Sequence, residues 1–334
     1  MFLPPCSTGE TATTGEAGGG QPKDTKGKFY IMFGIRPDGR ELKKGVDPIT
    51  RFTPLIMRQR CDAQVMTTEY IDAEKLNEYI RKRKKDGVKL SHMTVIIAAI
   101  LRTAAQYPMM NRYVVNGKLY SRNEYTVSFV AVKSKDLDTY DETTTKTFFD
   151  YYDTVDTVQK RIDKTIEEAR DAASSTAVVN FANGILSIPV LPRLILDILM
   201  FMDRIGILPK KILDISPFHT SLFITNMASL KMNDVFHHIY NFGTTSIFVG
   251  MGKRRPQLHK SIDGTLSAKW VYPVGVVVDE RIMPGAQFAK CFQTMIRYMN
   301  NPELLEAPPE EIVYDIGIKP YRLKPSYDVL KGEK

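Results

Sequence analysis

The run from His92 to Gln106 constrains the fold more than any other part of this 334-residue chain. Ser91, just before it, is a preferred helix N-cap residue, and Pro108, just after it, ends a helix. Within the run, apolar residues fall on almost every side of a helix: Val95, Ile96, Ile97, Ala98, Ala99, Ile100 and Leu101. A helix that is apolar all round must be covered all round, so we predict a central, buried helix.

Other helices and strands are predicted on both sides of this helix, without strict alternation. An N-cap at Asp72 and a terminating Gly87 bound one helix. Helical spacing of apolar residues predicts two more, one on Val155, Val158, Ile162, Ile166 and Ala169 and one over Gly285–Met299. Strands are predicted at 125–132, 219–226, 244–251 and 271–279, and Asn116-Gly117 indicates a hairpin. The pattern predicts an α/β protein of the α+β type, with a mixed β-sheet flanked by helices.

The chain carries a net charge of +8, much of it from the basic run 81–85. Cations are favourable at a helix C-terminus, so this run is typical of a solvated helix end. The alternative is that it attracts a phosphate-bearing ligand or an anionic surface. Neither interleaved aromatic residues nor a known nucleic-acid-binding module accompanies it, so we expect no nucleic acid among the partners.

The three cysteines, Cys6, Cys61 and Cys291, have neither metal-ligand spacing nor a disulfide framework. We therefore expect no metal and a reducing, cytoplasmic location.

Near the C-terminus a predicted strand leads directly into a helix start: Val277-Val278-Asp279-Glu280-Arg281-Ile282-Met283-Pro284-Gly285-Ala286. This stretch resembles the signature of the chloramphenicol acetyltransferase-like superfamily, which includes the acyltransferase component of 2-oxoacid dehydrogenase complexes. In that superfamily the strand ends in His-x-x-x-Asp(or Asn)-Gly. Here Glu280 stands at the His position and Pro284 at the Asp/Asn position, while the surrounding Asp, Arg and Gly-Ala are retained.

Four other segments carry the same resemblance in the same order, and together they cover most of residues 45–305: Arg51-Phe52-Thr53-Pro54 through Tyr70, Leu90 through Arg112, Phe218 through Asn226, and Asn241 through Lys253. The resemblance implies a chloramphenicol acetyltransferase-like fold assembled as a homotrimer. It also implies an active site between subunits, which coenzyme A and an acceptor enter from opposite faces.

The same resemblance divides the chain. Residues 29–306 would form the acyltransferase-like domain, and 307–334 a C-terminal extension. Residues 1–28 contain too few apolar groups to offset the entropy of ordering, so we expect a disordered tail. Residues 184–208 replace a short connection and form an apolar insertion. This insertion could pack on the body or a neighbouring subunit, act as a lid over an apolar channel, or make a peripheral membrane contact.

Acyl transfer from acyl-CoA needs a hydrogen-bond donor for the oxyanion and a base for the acceptor's proton. By resemblance Thr225 supplies the donor; alternatively, it is simply a β-branched strand residue. Glu280 is a weak base unless desolvation raises its pKa. The triplet Asp279-Glu280-Arg281 could instead be a structural ion pair.

Two further candidates for the base are His237 and His238, since His237-His238-Ile239-Tyr240-Asn241-Phe242-Gly243 partly imitates the superfamily signature. Either could instead be a structural or surface histidine. The sequence therefore leaves two functions open. One is a coenzyme A-dependent acyltransferase-family protein whose catalytic motif is degenerate. The other is a non-catalytic trimeric scaffold or ligand-binding relative, in effect a pseudoenzyme.

Overall fold

The predicted central helix is present with the predicted bounds. This helix, α3, runs His92–Gln106, and the Ser91 hydroxyl caps it by accepting from the Thr94 backbone N–H at 3.0 Å. Every residue from Thr94 to Ala105 is buried. Burying one Ile or Leu side chain contributes about 1.5–3 kcal/mol, so this helix is a main source of stability.

A computed structural model of the chain describes residues 35–132, 142–172, 187–260 and 262–315, and these all fall in one compact unit. The tail predicted at 1–28 lies outside the described residues, as do 184–186 of the predicted insertion. The large sheet has seven strands: β3 (Gln64–Asp72), β6 (Tyr125–Val132), β7 (Glu142–Phe149), β8 (Leu222–Asn226), β9 (Ile247–Met251), β10 (Arg255–Lys260) and β11 (Leu266–Asp279).

The large sheet is mixed, as predicted. The strand order is β10-β11-β9-β8-β6-β7, and β3 also pairs with β11. β8 is parallel to β6 and β9, and the other pairs are antiparallel. Two predicted strands begin later than expected, at Leu222 and Ile247. The predicted strand 271–279 begins earlier, at Leu266, because its first half pairs with β10 in a hairpin.

Helices cover one face of this sheet and provide most of the core. They include α2 (Ala73–Lys85), α4 (Val155–Ala172) and α7 (Gly285–Asn300), which surround α3. Asp72 caps α2 and Gly87 follows it at φ 86°, both as predicted. A short helix, α1 (Pro48–Ile56), precedes the first strand of the sheet.

A second, antiparallel sheet lies beside the first. Its strands are β1 (Ile35–Arg36), β2 (Gly39–Glu41), β4 (Arg112–Val115) and β5 (Lys118–Arg122), in the order β1-β2-β5-β4. The Asn116-Gly117 turn joins β4 to β5, as predicted, with both residues at positive φ.

The described part of the insertion contains α5 (Leu191–Ile205), followed by α6 (Lys210–Ile215). Asp203 is the one buried residue of α5. Its carboxylate accepts from Arg36, whose guanidinium also donates to the Asp203 carbonyl, and it lies 3.5 Å from Nε2 of His219. Asp203 therefore ties helix α5 to the body through a buried ion pair. None of the described helices is both long and apolar enough to cross a bilayer.

Residues 307–315 pack on the body. Arg112 forms a two-bond ion pair with the buried Asp315 at 2.5 and 2.6 Å, and the Val313 backbone N–H donates to the Ala105 carbonyl. Arg102 donates to the carbonyls of Leu304 and Ala307. This segment thus contacts the end of α3.

Candidate functional site

The predicted oxyanion donor, Thr225, lies on the face of the large sheet opposite the main helical core. Side chains alternate along a strand, so Leu222 and Ile224 point into the helix-covered core. Phe223 points the other way and forms a small separate cluster with Ile239, Phe248 and Val277. Thr225, two residues after Phe223, therefore shares this second face.

The Thr225 hydroxyl has almost no competing partner. Its Oγ1 donates to the Met227 thioether sulfur at 3.5 Å, and no other bond of this hydroxyl is found among the described residues. Thioether sulfur is a weak acceptor, so this bond is easily exchanged for a stronger one. The side chain is only half-buried. A ligand oxygen that develops negative charge could replace the Met227 sulfur as the hydrogen-bond acceptor of Thr225.

A segment of chain crosses this face close to Thr225 because two strand residues, and a third just after the end of β9, lack side chains. A Cβ on Gly250 would lie 2.8 Å from the Val235 carbonyl oxygen, and one on Gly275 would lie 2.6 Å from the same atom. A Cβ on Gly252 would lie 2.2 Å from the Asp234 nitrogen. Gly250 is the register partner of both Thr225 and Gly275. The glycines thus create the groove in which the chain leading to His237 lies.

Replacing Gly275 by alanine is expected to destabilise the fold by about 1–3 kcal/mol, since the methyl group meets backbone that has to move. Gly285→Ala is the matched control, because no atom lies within 4 Å of a Cβ there. Urea unfolding of the two variants measures the difference. Equal stability of the two would show that residues 233–236 do not lie on the sheet as described.

His237 and His238 differ in their surroundings. His237 is half-buried and stacks on Phe248, with ring centroids 4.2 Å apart and an interplanar angle of 3°. Phe248 in turn stacks on Phe223 at 4.7 Å. This three-ring stack holds the His237 imidazole over Phe248, and no hydrogen bond joins it to Thr225 among the described residues. His238 is exposed. The two histidines therefore share a region with Thr225 but do not reach its hydroxyl.

Glu280 lies at the opposite end of the sheet from Thr225. It follows β11 in a short 3-10 turn, Glu280–Ile282, and is exposed. Thr225 pairs with Gly250 and Gly250 with Gly275, so five residues of β11 separate Glu280 from that level. At about 3.3 Å per residue this is about 17 Å. Within one chain, Glu280 and Thr225 cannot act on the same atom.

The neighbours of Glu280 form a buried ion-pair cluster in which its own carboxylate takes no part. Arg281 donates two bonds of 2.7 Å to Asp279, and Arg60 lies 3.5 Å from the same carboxylate. Burial lowers the pKa of Arg60 to about 10; Asp279 opposes this effect and Arg281 adds to it. Pro284 is at the N-cap position of α7 and makes no side-chain hydrogen bond to that helix. It donates nothing to a neighbouring catalytic group.

Three buried arginines lie around this cluster that no sequence signal predicted: Arg36, Arg60 and Arg122. Arg122 donates to the Thr244 carbonyl and hydroxyl and lies over the Tyr113 ring at 4.4 Å. Nothing in the local sequence distinguishes these arginines from solvated ones, because their burial depends on strands distant in the chain. No group of His, Cys, Asp and Glu suited to a metal ion occurs among the described residues.

Comparisons with known proteins agree with this fold. No family model matches the sequence, and no curated protein sequence matches it. The structure is similar to a probable dihydrolipoamide acetyltransferase from Listeria monocytogenes 4b F2365, with a TM-score of 0.50 and 12% identity over 78% of this chain and 95% of that one.

Two further solved structures are less similar. The dihydrolipoamide acetyltransferase of Azotobacter vinelandii has a TM-score of 0.48 and 14% identity over 79% of this chain and 94% of that one. A chloramphenicol acetyltransferase has a TM-score of 0.46 and 11% identity over 78% of this chain and 99% of its own. At such identities a likeness establishes fold and not chemistry. The predicted mixed sheet flanked by helices, of the chloramphenicol acetyltransferase-like class, is confirmed.

Proposed function

We propose that this chain, which has the fold of dihydrolipoamide acetyltransferases, is a coenzyme A-dependent acyltransferase-family protein that binds an acyl thioester beside Thr225. The observation that carries the proposal is the Thr225 hydroxyl. It lies on the sheet face opposite the helix-covered core, and its one partner among the described residues is a thioether sulfur. In this role Thr225 donates a hydrogen bond to the oxyanion that forms when an acceptor attacks the thioester carbonyl.

The proposal requires a second copy of the chain. Glu280 is about 17 Å from Thr225 along β11, and His237 is held in a ring stack. A homotrimer with its active sites between subunits would bring Glu280 or the exposed His238 of one copy to Thr225 of the next. Glu280 or His238 would take the acceptor's proton as the acceptor attacks the thioester carbonyl. The carbon–sulfur bond of the thioester then breaks, so that the acyl group remains on the acceptor and coenzyme A leaves. The half-buried Cys61 and buried Cys291 are free thiols, in keeping with a cytoplasmic location.

The second candidate is a non-catalytic trimeric scaffold or ligand-binding protein. The surroundings of Glu280 favour it, because Asp279 pairs with Arg281 and Arg60 while Glu280 is left in solvent. Pro284 gives a neighbouring base no hydrogen bond. A protein of this kind would keep the fold, the assembly and a ligand site without turnover.

Calorimetry with coenzyme A and acetyl-CoA is expected to give saturable binding, one site per chain. A thiol-release assay with acetyl-CoA and a set of small hydroxyl and thiol acceptors then separates the two candidates. Turnover above background supports the enzyme. Binding without turnover supports the ligand-binding relative. No binding of either compound by folded protein contradicts the coenzyme A proposal.

If turnover is found, a mixing experiment tests whether the site lies between copies. Thr225→Val and Glu280→Gln variants are each expected to be nearly inactive. Mixed trimers, formed by refolding the two variants together, regain activity because some interfaces contain both unaltered residues. Recovery no greater than the sum of the two separate variants would place the site within a single copy or assign the base to another residue.

A further inference from the structure

We propose that the cleft between α1 and α5 binds a single-chain anionic amphiphile, a ligand with a phosphate or carboxylate head and an aliphatic tail. This cleft has a volume of about 790 Å³, which is within the range of small-molecule sites. The β4–β5 turn forms its base and touches both walls. Arg204 of α5 donates to the Asn116 side chain at 3.1 Å, and Leu55 of α1 lies against Gly117.

The cleft is strongly cationic. Four arginines line it, Arg58, Arg60, Arg204 and Arg281, and among the described lining residues the one acid is Asp203. The Asp203 carboxylate is already occupied by Arg36 and His219. Arg60 and Arg281 share the single carboxylate of Asp279. An anion that enters the cleft would therefore meet uncompensated positive charge.

Arg58 and Arg204 are the arginines placed to bind such an anion. Both are exposed, one just after α1 and the other on α5. Arg60 cannot turn toward a ligand, because its guanidinium donates to the carbonyls of Val114, Tyr240 and Gly243. Arg58 and Arg204 would supply the direct charge-assisted bonds.

The cleft also exposes apolar side chains that a tail would cover. Leu55 of α1 is 55% exposed and Met200 of α5 is 42% exposed. Phe242 and Val115 contribute further apolar surface deeper in the cleft. Arg58 and Arg204 beside this apolar surface form no ion pair among the described residues, and apolar surface gathered in one concave place next to such cations is typical of a ligand site. An inorganic anion would leave this apolar surface in contact with water. A neutral ligand with an aliphatic tail would leave the arginines without a negatively charged partner.

This inference does not rest on acyl transfer, since none of these groups touches Thr225. It commits to a free ligand rather than a bilayer, because the site is a concave cleft with walls on α1 and α5 and not a flat face. A phospholipid headgroup offers the same chemistry, so the experiment distinguishes the two sources.

The test is calorimetric titration of the full chain with octyl phosphate below its micelle concentration. Two further probes each carry one feature of this ligand: inorganic phosphate has the anionic head without the tail, and octyl glucoside has the tail without the charge. We expect one saturable site per chain for octyl phosphate and at least tenfold weaker binding of either other compound. The double variant Arg58→Gln/Arg204→Gln is expected to weaken binding by about tenfold or more, since hydrogen bonds to charged groups are among the stronger ones.

Controls separate this site from the rest of the molecule. Arg297→Gln removes an exposed arginine on α7, outside the cleft, and should leave octyl phosphate affinity unchanged. Thr225→Val should also leave it unchanged, so failure of the acyl-transfer proposal is distinguishable. Met200→Ser should weaken octyl phosphate but not inorganic phosphate.

Three results would overturn the inference. One is the absence of saturable octyl phosphate binding by folded protein. Another is equal affinity of the double variant and Arg297→Gln. The third is flotation of the protein with phosphatidylglycerol vesicles when monomeric octyl phosphate does not bind, which would assign this surface to a membrane.

Discussion

Replacing Thr225 by valine is expected to lower the rate of thioester consumption by about 10²–10³-fold, the usual effect of removing one oxyanion donor. Valine keeps the β-branched shape that suits strand β8 and removes only the hydroxyl. The Thr225 hydroxyl bonds within the chain to a thioether sulfur alone among the described residues, so its loss should cost little stability. The measurement is kcat with acetyl-CoA, with thermal unfolding recorded in parallel.

The control for this experiment is Thr225→Ser, which keeps the hydroxyl and should retain most of the rate. Coenzyme A affinity should be similar in all three proteins, since the hydrogen bond forms to the transition state rather than to the ground state. A valine variant that retains the wild-type rate would remove Thr225 from the chemistry. A variant that loses affinity and rate equally would make Thr225 a binding residue instead.

Replacing Asp203 by asparagine is expected to destabilise the protein by about 3 kcal/mol, because it leaves the buried Arg36 with one fewer carboxylate. Asp38, 3.0 Å from Arg36, compensates only in part. Since Asp203 is the one buried residue of α5, the helix should also detach more readily. Limited proteolysis should then cut within Leu191–Ile205 faster than in the wild type. Asp197→Asn, an exposed change on the same helix, is the control.

The effect of Asp203 should depend on pH in a defined direction. Burial alone would raise its pKa, but the hydrogen bond from His219 and the charge of Arg36 outweigh burial and lower the pKa to about 2. An unfolded aspartate titrates near 3.9. The stabilisation is therefore complete above about pH 4 and is lost as pH falls through about 2. The stability gap between wild type and Asp203→Asn should be constant from pH 5 to 7 and shrink below pH 4. If the stability difference did not shrink below pH 4, Arg36 and His219 would not be what keeps Asp203 ionised in the folded protein.

Elements marked by local signals were predicted well. The cap at Ser91 and the apolar run after it located α3 at its observed bounds, and alternation located β6. Cap chemistry and helical spacing involve neighbours three or four residues apart, so the sequence contains all of that information. By contrast, β8 begins at Leu222 rather than at residue 219, because His219 is held by Ser216 and Asp203 before the strand starts.

The candidate site was only partly predictable. Placing Thr225 at the end of a strand required only the local pattern. The separation of Glu280 from Thr225 depends on the antiparallel pairing of β11 with β9. Likewise, the early start of β11 at Leu266 depends on the pairing of its first half with β10. Register between distant segments is not visible in either segment alone.

By itself, therefore, the sequence determined the central helix, the mixed α/β character and the candidate oxyanion donor Thr225. Only the tertiary structure decided that Glu280 is about 17 Å from Thr225 along a strand, and that one buried carboxylate, Asp203, anchors α5. It alone brought Arg58 and Arg204 to one cleft. The physical reason is the range of the interactions: helix periodicity and caps act over one or two turns, whereas burial, charge pairing and clefts depend on residues that meet only after the strands have paired.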